Sequence, residues 1–464
     1  MRTKTGAIAI LAASALVVLA CGFAISRVQN TDALRAGNAR YVGQAQPTMA
    51  PVVADYAYRN AIVADLEADV RRHPDQLNSR MLAGEYLQRF REAPDVGDLL
   101  RAVASAQVGL RYQPRYNVAA EMTLASAYAG LHKFRIAQRY ASDAARVVPW
   151  DENARATSAS LDLELGRYEE AKELLRASPA RADAAWETVA ARYAELTGNL
   201  AAASNLMKRA SVEADANAYE PAENRAWYHW REGELAFEAG DLAAAKADYA
   251  TALQMFPNYW HATNGLAKVA WAQRRWRAAR DEAQLSVAIY PLPETLGYLY
   301  DAQQALHEDA AARVTAQLVG AIERIGNSQN INDRLIAAFY SDHGIATTRA
   351  VRIAMRDLAV RDDIYAEDTL AWALAMDGRW RDALPHAEGA TRLGTQDAKL
   401  QFHAGLIELH AGHAAQGITR MRWALSLNSH FHPIYAGVAN KIVAQAHDKG
   451  QAFVGQSGSA TRAP

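Results

Sequence analysis

The sequence predicts an all-α fold built from stacked helical hairpins, and three observations support this prediction. A pattern of two short amphipathic helices recurs along the chain at intervals of about 34 residues. Half of the residues are apolar, whereas glycine and proline contribute only 27 and 14 of the 464 residues. One such hairpin cannot bury its apolar face alone, so neighbouring hairpins must stack on one another.

The clearest copy of the unit is the segment 226–257. Its two helices meet at Gly240, and Pro257 closes the second helix. Small residues such as Gly233 and Ala252 stand where paired helices must approach closely, while larger residues fill the space toward the next hairpin. This arrangement predicts a helix-turn-helix hairpin with a tightly packed interior.

Further copies precede and follow this unit, each marked by its turn. The turns are Leu131-His132, Gly166-Arg167, Gly198-Asn199, Arg275-Trp276, His307-Glu308, His343-Gly344, Gly378-Arg379 and Gly412-His413. The residue pattern and its spacing resemble the tetratricopeptide repeat family over residues 60 to 435. The resemblance implies a right-handed superhelix of stacked hairpins with a concave groove that binds peptides or proteins.

The resemblance also implies which side chains line that groove. In this family the groove is formed mainly by the second, fifth, ninth, twelfth and thirteenth positions of the first helix of each hairpin. The aromatic candidates at these positions are Trp227, Trp230, Phe237, Trp271, Tyr365 and Trp372. Polar side chains at the same positions are Glu234, Glu238, Asn264, Lys268 and Asp368. Such a groove suits an apolar peptide or helix, although some of these rings could equally pack against the neighbouring hairpin.

The N-terminus predicts export from the cytoplasm. Arg2 and Lys4 precede an apolar run over residues 6–20, which is typical of a secretory signal or a membrane anchor within residues 1–25. The residues before Cys21 resemble the bacterial lipobox, which implies lipidation of that cysteine. A lipoprotein, an uncleaved anchor and a cleaved signal stay open as alternatives. All three place the following chain outside the cytoplasm, in the periplasm or cell envelope of a bacterium.

Changes in composition divide the remaining chain into a linker, a repeat region and a tail. Residues 26–54 are polar and irregular, which predicts a flexible linker. About ten repeats are expected over residues 55–445, with inserted segments near 211–225 and 326–334. Residues 446–464 are rich in Gly, Ser, Ala and Gln, and we expect this tail to be disordered.

No catalytic motif is recognisable in the sequence. It contains no glycine-rich phosphate loop, no G-x-S-x-G elbow and no H-E-x-x-H helix, so we expect a protein without catalytic activity or cofactor. The formal net charge of −1 argues against a nucleic-acid partner, because nonspecific phosphate binding needs a basic surface. The oligomeric state is not indicated.

A group of histidines near the C-terminus offers a weak candidate metal site. His403, His410 and His413 fall within one repeat, and imidazole is a common metal ligand. Only one carboxylate, that of Glu408, lies close in sequence, and the chain has a single cysteine, Cys21. Ordinary packing and surface roles therefore explain these histidines better than metal binding.

The sequence as a whole predicts a membrane-tethered scaffold that binds peptide or protein partners on the extracytoplasmic side. Two alternatives stay open. One is a periplasmic protein that handles metals or delivers cofactors through the C-terminal histidines. The other is an accessory subunit that positions an enzyme of the cell envelope.

Overall fold

The computed structural model describes residues 56–176, 183–326 and 333–458. Within these ranges the chain forms 22 helices and no strand, so the all-α prediction is confirmed. No helix in this part of the chain is both long enough and apolar enough to cross a membrane. The signal or anchor, the linker and Cys21 lie outside the described residues.

The helices are numbered here in chain order. The first nine are α1 (Tyr56–Arg72), α2 (Gln76–Glu92), α3 (Val96–Tyr112), α4 (Val118–Gly130), α5 (Phe134–Val147), α6 (Glu152–Glu164), α7 (Tyr168–Arg176), α8 (Ala184–Leu196) and α9 (Leu200–Ala216). The next seven are α10 (Ala222–Glu238), α11 (Leu242–Met255), α12 (Trp260–Ala272), α13 (Trp276–Ile289), α14 (Pro293–Ala305), α15 (Asp309–Gly326) and α16 (Asp333–Asp342). The last six are α17 (Thr347–Val360), α18 (Ile364–Met376), α19 (Trp380–Thr391), α20 (Ala398–Ala411), α21 (Ala414–Leu427) and α22 (Tyr435–Gly458).

Consecutive helices from α2 to α21 pair into ten hairpins. Helix α1 packs on the first hairpin, and α22 packs on the last. From α10 to α20, the first helix of each hairpin also packs on the first helix of the next, as in α10 with α12 and α18 with α20. The first helices therefore form the inner wall of the stack, and the second helices form its outer side.

The close helix approach expected within the central hairpin depends on two glycines that flank one aromatic ring. A Cβ atom on Gly233 would lie 2.5 Å from the ring of Tyr249, and one on Gly265 would lie 2.6 Å from it. Tyr249 is fully buried between these glycines. The turn before its helix uses Gly240 at a φ of +77° and Asp241, whose carboxylate accepts the backbone N–H of Ala244 at 2.9 Å.

The two predicted insertions and the predicted tail differ in how much of each forms helix. Helix α9 runs to Ala216 and α10 begins at Ala222, so most of segment 211–225 extends these two helices. In segment 326–334, residues 327–332 lie outside the described chain. Helix α22 ends at Gly458 and thus includes the first residues of segment 446–464.

The stack of hairpins bends until its later turns touch its earlier ones. A Cβ atom on Gly166 would lie 2.0 Å from the carbonyl oxygen of Asp362, and one on Gly198 would lie 2.2 Å from that of Gly394. The side-chain amide of Asn428 donates to the carbonyl oxygen of Phe237 at 2.7 Å. These contacts, here called the closure, join hairpins that are about 190 to 200 residues apart in sequence.

A hydrogen bond and an ion pair stabilise the closure. The hydroxyl oxygen of Tyr168 accepts the backbone N–H of Ile364 at 2.9 Å, and Ile364 is fully buried. Arg361 pairs with Glu164 across the same contact at 3.2 Å. The closure is thus a specific packed interface inside one chain, with polar groups satisfied across it.

Candidate functional site

The closure turns the concave side of the solenoid into a partly open cavity, here called the chamber. Its volume is about 370 Å³. The walls come from the first helices of seven successive hairpins, α8, α10, α12, α14, α16, α18 and α20, and from residues 428–432. Small-molecule and short-peptide sites usually enclose about 300–1,000 Å³, so the chamber is large enough to hold a ligand.

Thirteen of the residues that line the chamber carry a charged side chain. The acidic ones are Glu195, Glu234, Glu238, Glu294, Asp301, Asp342, Asp368 and Asp397. The basic ones are Arg192, Arg231, Lys268, Arg334 and Lys399. Eight acids face five bases, and one of these bases, Arg334, is itself bonded to Asp357 and Asp363 behind the wall. Acidic side chains therefore outnumber basic ones in the chamber wall.

Most of the acids are held by a side chain from a neighbouring first helix. Lys268 on α12 donates to Glu234 on α10 at 2.9 Å. The indole N–H of Trp271 on α12 donates to Asp301 on α14 at 2.8 Å. Arg231 on α10 donates to Glu195 on α8 at 2.7 Å. This ladder fixes the first helices against one another and holds the wall in one arrangement.

Asp342 is the most strongly held carboxylate of the wall. It accepts the indole N–H of Trp372 at 2.8 Å and the ammonium of Lys399 at 2.9 Å. Burial alone would favour the neutral acid, but the charge and hydrogen bond of Lys399 outweigh it and keep the pKa of Asp342 below its ordinary value. Asp342 is therefore ionised at neutral pH.

Glu238 is the exception to the ladder. Among the described residues, no side chain or backbone group makes a hydrogen bond or an ion pair with its carboxylate. Arg192 and Arg231, whose charges act on it, both donate to Glu195 instead. Burial, followed by the negative charges of Glu195 and Asp397, raises the pKa of Glu238 well above its ordinary value.

Asp397 stands beside this unpaired acid and is satisfied only by backbone groups. Its carboxylate caps α20 by accepting the N–H groups of Lys399 and Leu400, at 2.9 and 3.1 Å. Burial raises the pKa of Asp397 despite these bonds, and the charge of Asp368 adds to the effect. This part of the chamber thus holds two carboxylates without a cation of the protein bonded to either.

The structure places three of the six predicted aromatic groove residues at the chamber wall and three elsewhere. Phe237, Trp271 and Tyr365 line the chamber. Trp227 lines a separate cleft between α2 and α10, and Trp230 packs against the main core with its ring 4.4 Å from that of His261.

Trp372 is the most deeply buried of the six predicted groove residues. It is only 2% exposed, its ring stacks on His403 at 4.0 Å, and its N–H bonds to Asp342. It lies behind the wall and bonds to Asp342 on α16, the preceding first helix. It therefore supports the chamber from outside and does not line it.

The three histidines proposed as weak metal candidates point to different partners. Nδ1 of His403 lies 3.0 Å from the carboxylate of Asp368, and the ring of His410 stacks on Trp380 at 4.1 Å. His413 stands at the turn that begins α21. In the described part of the chain, no three His, Cys, Asp or Glu side chains are grouped so that they could hold a metal ion.

Several chamber residues were missed by the sequence interpretation although a signal for them exists. Arg192 and Glu195 occupy the ninth and twelfth positions of α8, and Glu294 and Asp301 occupy the second and ninth positions of α14. The rule that selected the aromatic candidates in three units selects these residues when it is applied to the other units. The missing step was the extension of the same rule to every hairpin.

Comparisons with known proteins agree with this architecture. A family model described as tetratricopeptide repeat matches residues 236–294. No curated protein matches the sequence at a significant level.

Three solved structures show the extent of similarity. A human IFIT1 dimer with PPP-AAAA is 15% identical over 72% of this chain and 78% of its own, with a TM-score of 0.47. The APC/C hetero-tetramer Cut9-Hcn1 is 11% identical over 84% and 93%, with a TM-score of 0.33. Yeast Tom70 is 14% identical over 87% and 96%, with a TM-score of 0.33. These values are too low to inform function.

The family model covers the end of α10, helices α11 to α13 and the start of α14. The same pairing of consecutive helices is found in every hairpin from α2 to α21. The repeat period of about 34 residues is the one that defines this class of helical solenoid. Residues 236–294 are therefore similar to tetratricopeptide repeats, and the helices on either side form hairpins of the same kind.

Proposed function

We propose that this protein is a non-catalytic scaffold that binds a segment of a partner polypeptide in its chamber. Tetratricopeptide repeat solenoids generally act as scaffolds for protein partners, and their concave side is the usual binding surface. The observation that carries the proposal is the convergence of seven first helices on one partly open chamber lined by charged and aromatic side chains.

The geometry favours binding because the wall is already ordered. Lys268, Trp271 and Arg231 are each fixed by a carboxylate on a neighbouring helix, so a ligand would immobilise few additional side chains. A preformed site loses less conformational entropy on binding than a flexible surface does. The aromatic rings of Phe237 and Tyr365 add apolar contact area between the charged groups.

The proposal includes a tether to the extracytoplasmic face of a bacterial membrane. It is supported by the charged N-terminus, the apolar run over residues 6–20 and the lipobox-like residues before Cys21. A tether of this kind would confine the chamber to partners in the periplasm or cell envelope. Recovery of the protein in the membrane fraction of its native cells tests this part.

The binding proposal is tested by crosslinking the full-length protein in its native membranes and measuring the captured polypeptides by mass spectrometry. The test variant is Tyr365→Ala, which removes an aromatic ring from the chamber wall. The control is Trp150→Ala, because Trp150 is 76% exposed and does not line the chamber. We expect Tyr365→Ala to reduce capture of a specific partner at least tenfold.

The control variant should capture that partner as the unmodified protein does. Thermal unfolding of both variants is monitored by circular dichroism. An unchanged midpoint temperature establishes that the solenoid is intact. Equal capture by the unmodified protein and a folded Tyr365→Ala variant would contradict binding in the chamber.

A further inference from the structure

We infer that the chamber recognises a positively charged side chain of the bound polypeptide, a lysine or an arginine, and that Glu238 is the group that receives it. This inference rests on the proposed function and adds the chemistry of the partner. It is carried by two groups of the chamber wall that make no hydrogen bond within the described chain: the carboxylate of Glu238, an acceptor, and the Nε2–H of His432, a donor.

The acceptor is the carboxylate of Glu238. Glu195, Glu234, Asp301 and Asp342 are bonded by Arg231, Lys268, Trp271 and Lys399, respectively, and Asp397 accepts two backbone N–H groups. Glu238 ends α10 and faces the cavity close to Glu195 and Asp397, with no hydrogen bond or ion pair of its own in the described ranges. An ionised carboxylate in such a site is costly unless a cation approaches it. A bound ammonium or guanidinium would supply that cation.

The donor is the imidazole of His432, which lines the same chamber and is only 4% exposed. Its Nδ1 accepts the backbone N–H groups of Ile434 and Tyr435, at 3.2 and 3.3 Å, at the start of α22. Burial lowers the pKa of His432 to about 3, so the ring is neutral at physiological pH. Since Nδ1 accepts, the proton must be on Nε2.

This Nε2–H group makes no hydrogen bond within the described residues. The ring lies between Trp271 and Tyr435, with centroid distances of 4.6 and 3.9 Å, so its orientation is fixed by packing. A buried donor that has no acceptor costs free energy until a ligand supplies one. A carbonyl oxygen of a bound chain would satisfy it.

The unpaired carboxylate of Glu238 and the unpaired Nε2–H of His432 together distinguish a polypeptide from other cations. A lysine or arginine residue offers a cationic side chain for Glu238 and backbone carbonyl oxygens for His432. A polyamine offers cations but no acceptor, and a bare metal ion would lack the grouped ligands it needs in this part of the chain. The chemistry of the chamber therefore favours a basic residue within a polypeptide.

The experiment uses the full-length protein in detergent and measures dissociation constants by isothermal titration calorimetry. The probes are the capped tripeptide Ala-Lys-Ala, the same peptide with norleucine in place of lysine, and spermidine. Norleucine keeps the aliphatic stem and removes the charge. The variants are Glu238→Gln and His432→Asn, with Glu388→Gln as a matched control because Glu388 is exposed outside the chamber.

We expect the lysine peptide to bind at least tenfold more tightly than the norleucine peptide. Glu238→Gln should weaken binding of the lysine peptide at least tenfold and leave the norleucine peptide unchanged, because only the charged probe uses that carboxylate. His432→Asn should weaken both peptides and leave spermidine unchanged, because spermidine offers no acceptor. Glu388→Gln should bind all three probes as the unmodified protein does.

Equal binding of the two peptides, or no effect of Glu238→Gln in a variant with unchanged thermal unfolding, would overturn the inference. Spermidine binding as tightly as the lysine peptide would overturn the assignment to a polypeptide. These failures differ from failure of the proposed function. If Tyr365→Ala abolishes partner capture while Glu238→Gln has no effect, the chamber binds a partner but does not recognise a basic residue.

Discussion

The N-terminal hairpins and the chamber-forming hairpins use the same structural unit in opposite ways. Sixteen large hydrophobic side chains are strongly exposed in the described chain, and eight of them lie between residues 58 and 150. The chamber-forming part has a continuous buried core over residues 226 to 439 and directs polar side chains to its interior. Exposed apolar side chains are thus more frequent per residue in the first region, while the second region surrounds a chamber lined by charged side chains.

The difference lies in how the hairpins are connected in space. The N-terminal hairpins have several small buried clusters, each limited to neighbouring helices. The later hairpins share one core and are also joined to earlier ones by the closure. Stability should therefore be local at the N-terminal end, as in a linear solenoid, and shared across many hairpins around the chamber.

The largest expected effect comes from Tyr249→Ala. It removes a fully buried ring that fills the space between Gly233 and Gly265, and loss of such a ring typically costs about 3–5 kcal/mol. Native-state hydrogen exchange should show reduced protection across α10 to α20, because these helices share one core. Leu124→Ala, at an equally buried site in a small N-terminal cluster, should reduce protection only in α2 to α6. Equally local effects of both variants would refute the contrast.

An intermediate effect is expected from Gly166→Ala, which tests the closure. Gly166 and Gly378 both have a positive φ, +76° and +81°, so alanine pays a similar conformational cost at each site. Only at Gly166 would the added methyl group meet a backbone atom, the carbonyl oxygen of Asp362. We expect Gly166→Ala to be less stable than Gly378→Ala by about 2–3 kcal/mol.

The same two variants give a second measurement. Small-angle X-ray scattering should show a larger radius of gyration for Gly166→Ala if the closure opens, and an unchanged value for Gly378→Ala. Indistinguishable stability and scattering of the two variants would mean that the contact between distant turns does not form in solution.

The smallest effect concerns the contact of α2 with α10, which connects the two regions and is here called the joint. Glu223 on α10 is 3% exposed and accepts a hydrogen bond from Gln88 on α2 at 3.4 Å. Burial raises its pKa to about 7, while Arg91 opposes this effect. The folded protein therefore holds this proton more tightly than the unfolded chain does. The resulting stability is present below the unfolded pKa of about 4.5 and is lost as the pH rises through 7.

Between pH 5 and pH 8, this group should lower the free energy of unfolding by about 2 kcal/mol. Glu223→Gln cannot ionise, so its stability should depend less on pH over this range than that of the unmodified protein. Glu388→Gln, at an exposed site, serves as the control and should retain the original pH dependence. An unchanged pH dependence in Glu223→Gln would show that this carboxyl does not titrate in the joint.

Much of the fold could be predicted from the sequence because the information is local. The period of about 34 residues, the turn at Gly240 and the small residue at Gly233 each reflect contacts within one hairpin or with its neighbour. Phe237, Trp271 and Tyr365 were placed by the same local rule. For Trp372 the rule left open whether the ring lines the groove or packs in the core, because it gives a helix face but not the Asp342 carboxylate that accepts the indole N–H.

The closure could not be predicted in this way. The approach of Gly166 to Asp362 depends on the sum of small rotations over several hairpins, and no single repeat encodes that sum. His432 follows the repeats that the groove rule covers, so its place in the chamber depends on the closure as well.

The closure also limits how this protein can change through evolution. An open solenoid can gain or lose a repeat by duplication or deletion, because each unit needs only a compatible neighbour. Here, one extra hairpin between α7 and α18 would shift the turn at Asp362 away from Gly166 and separate Tyr168 from Ile364. The number of hairpins in this arc is therefore fixed by geometry. Adaptation to new partners should proceed by substitution within existing units, whereas changes in length should be confined to the two ends of the array.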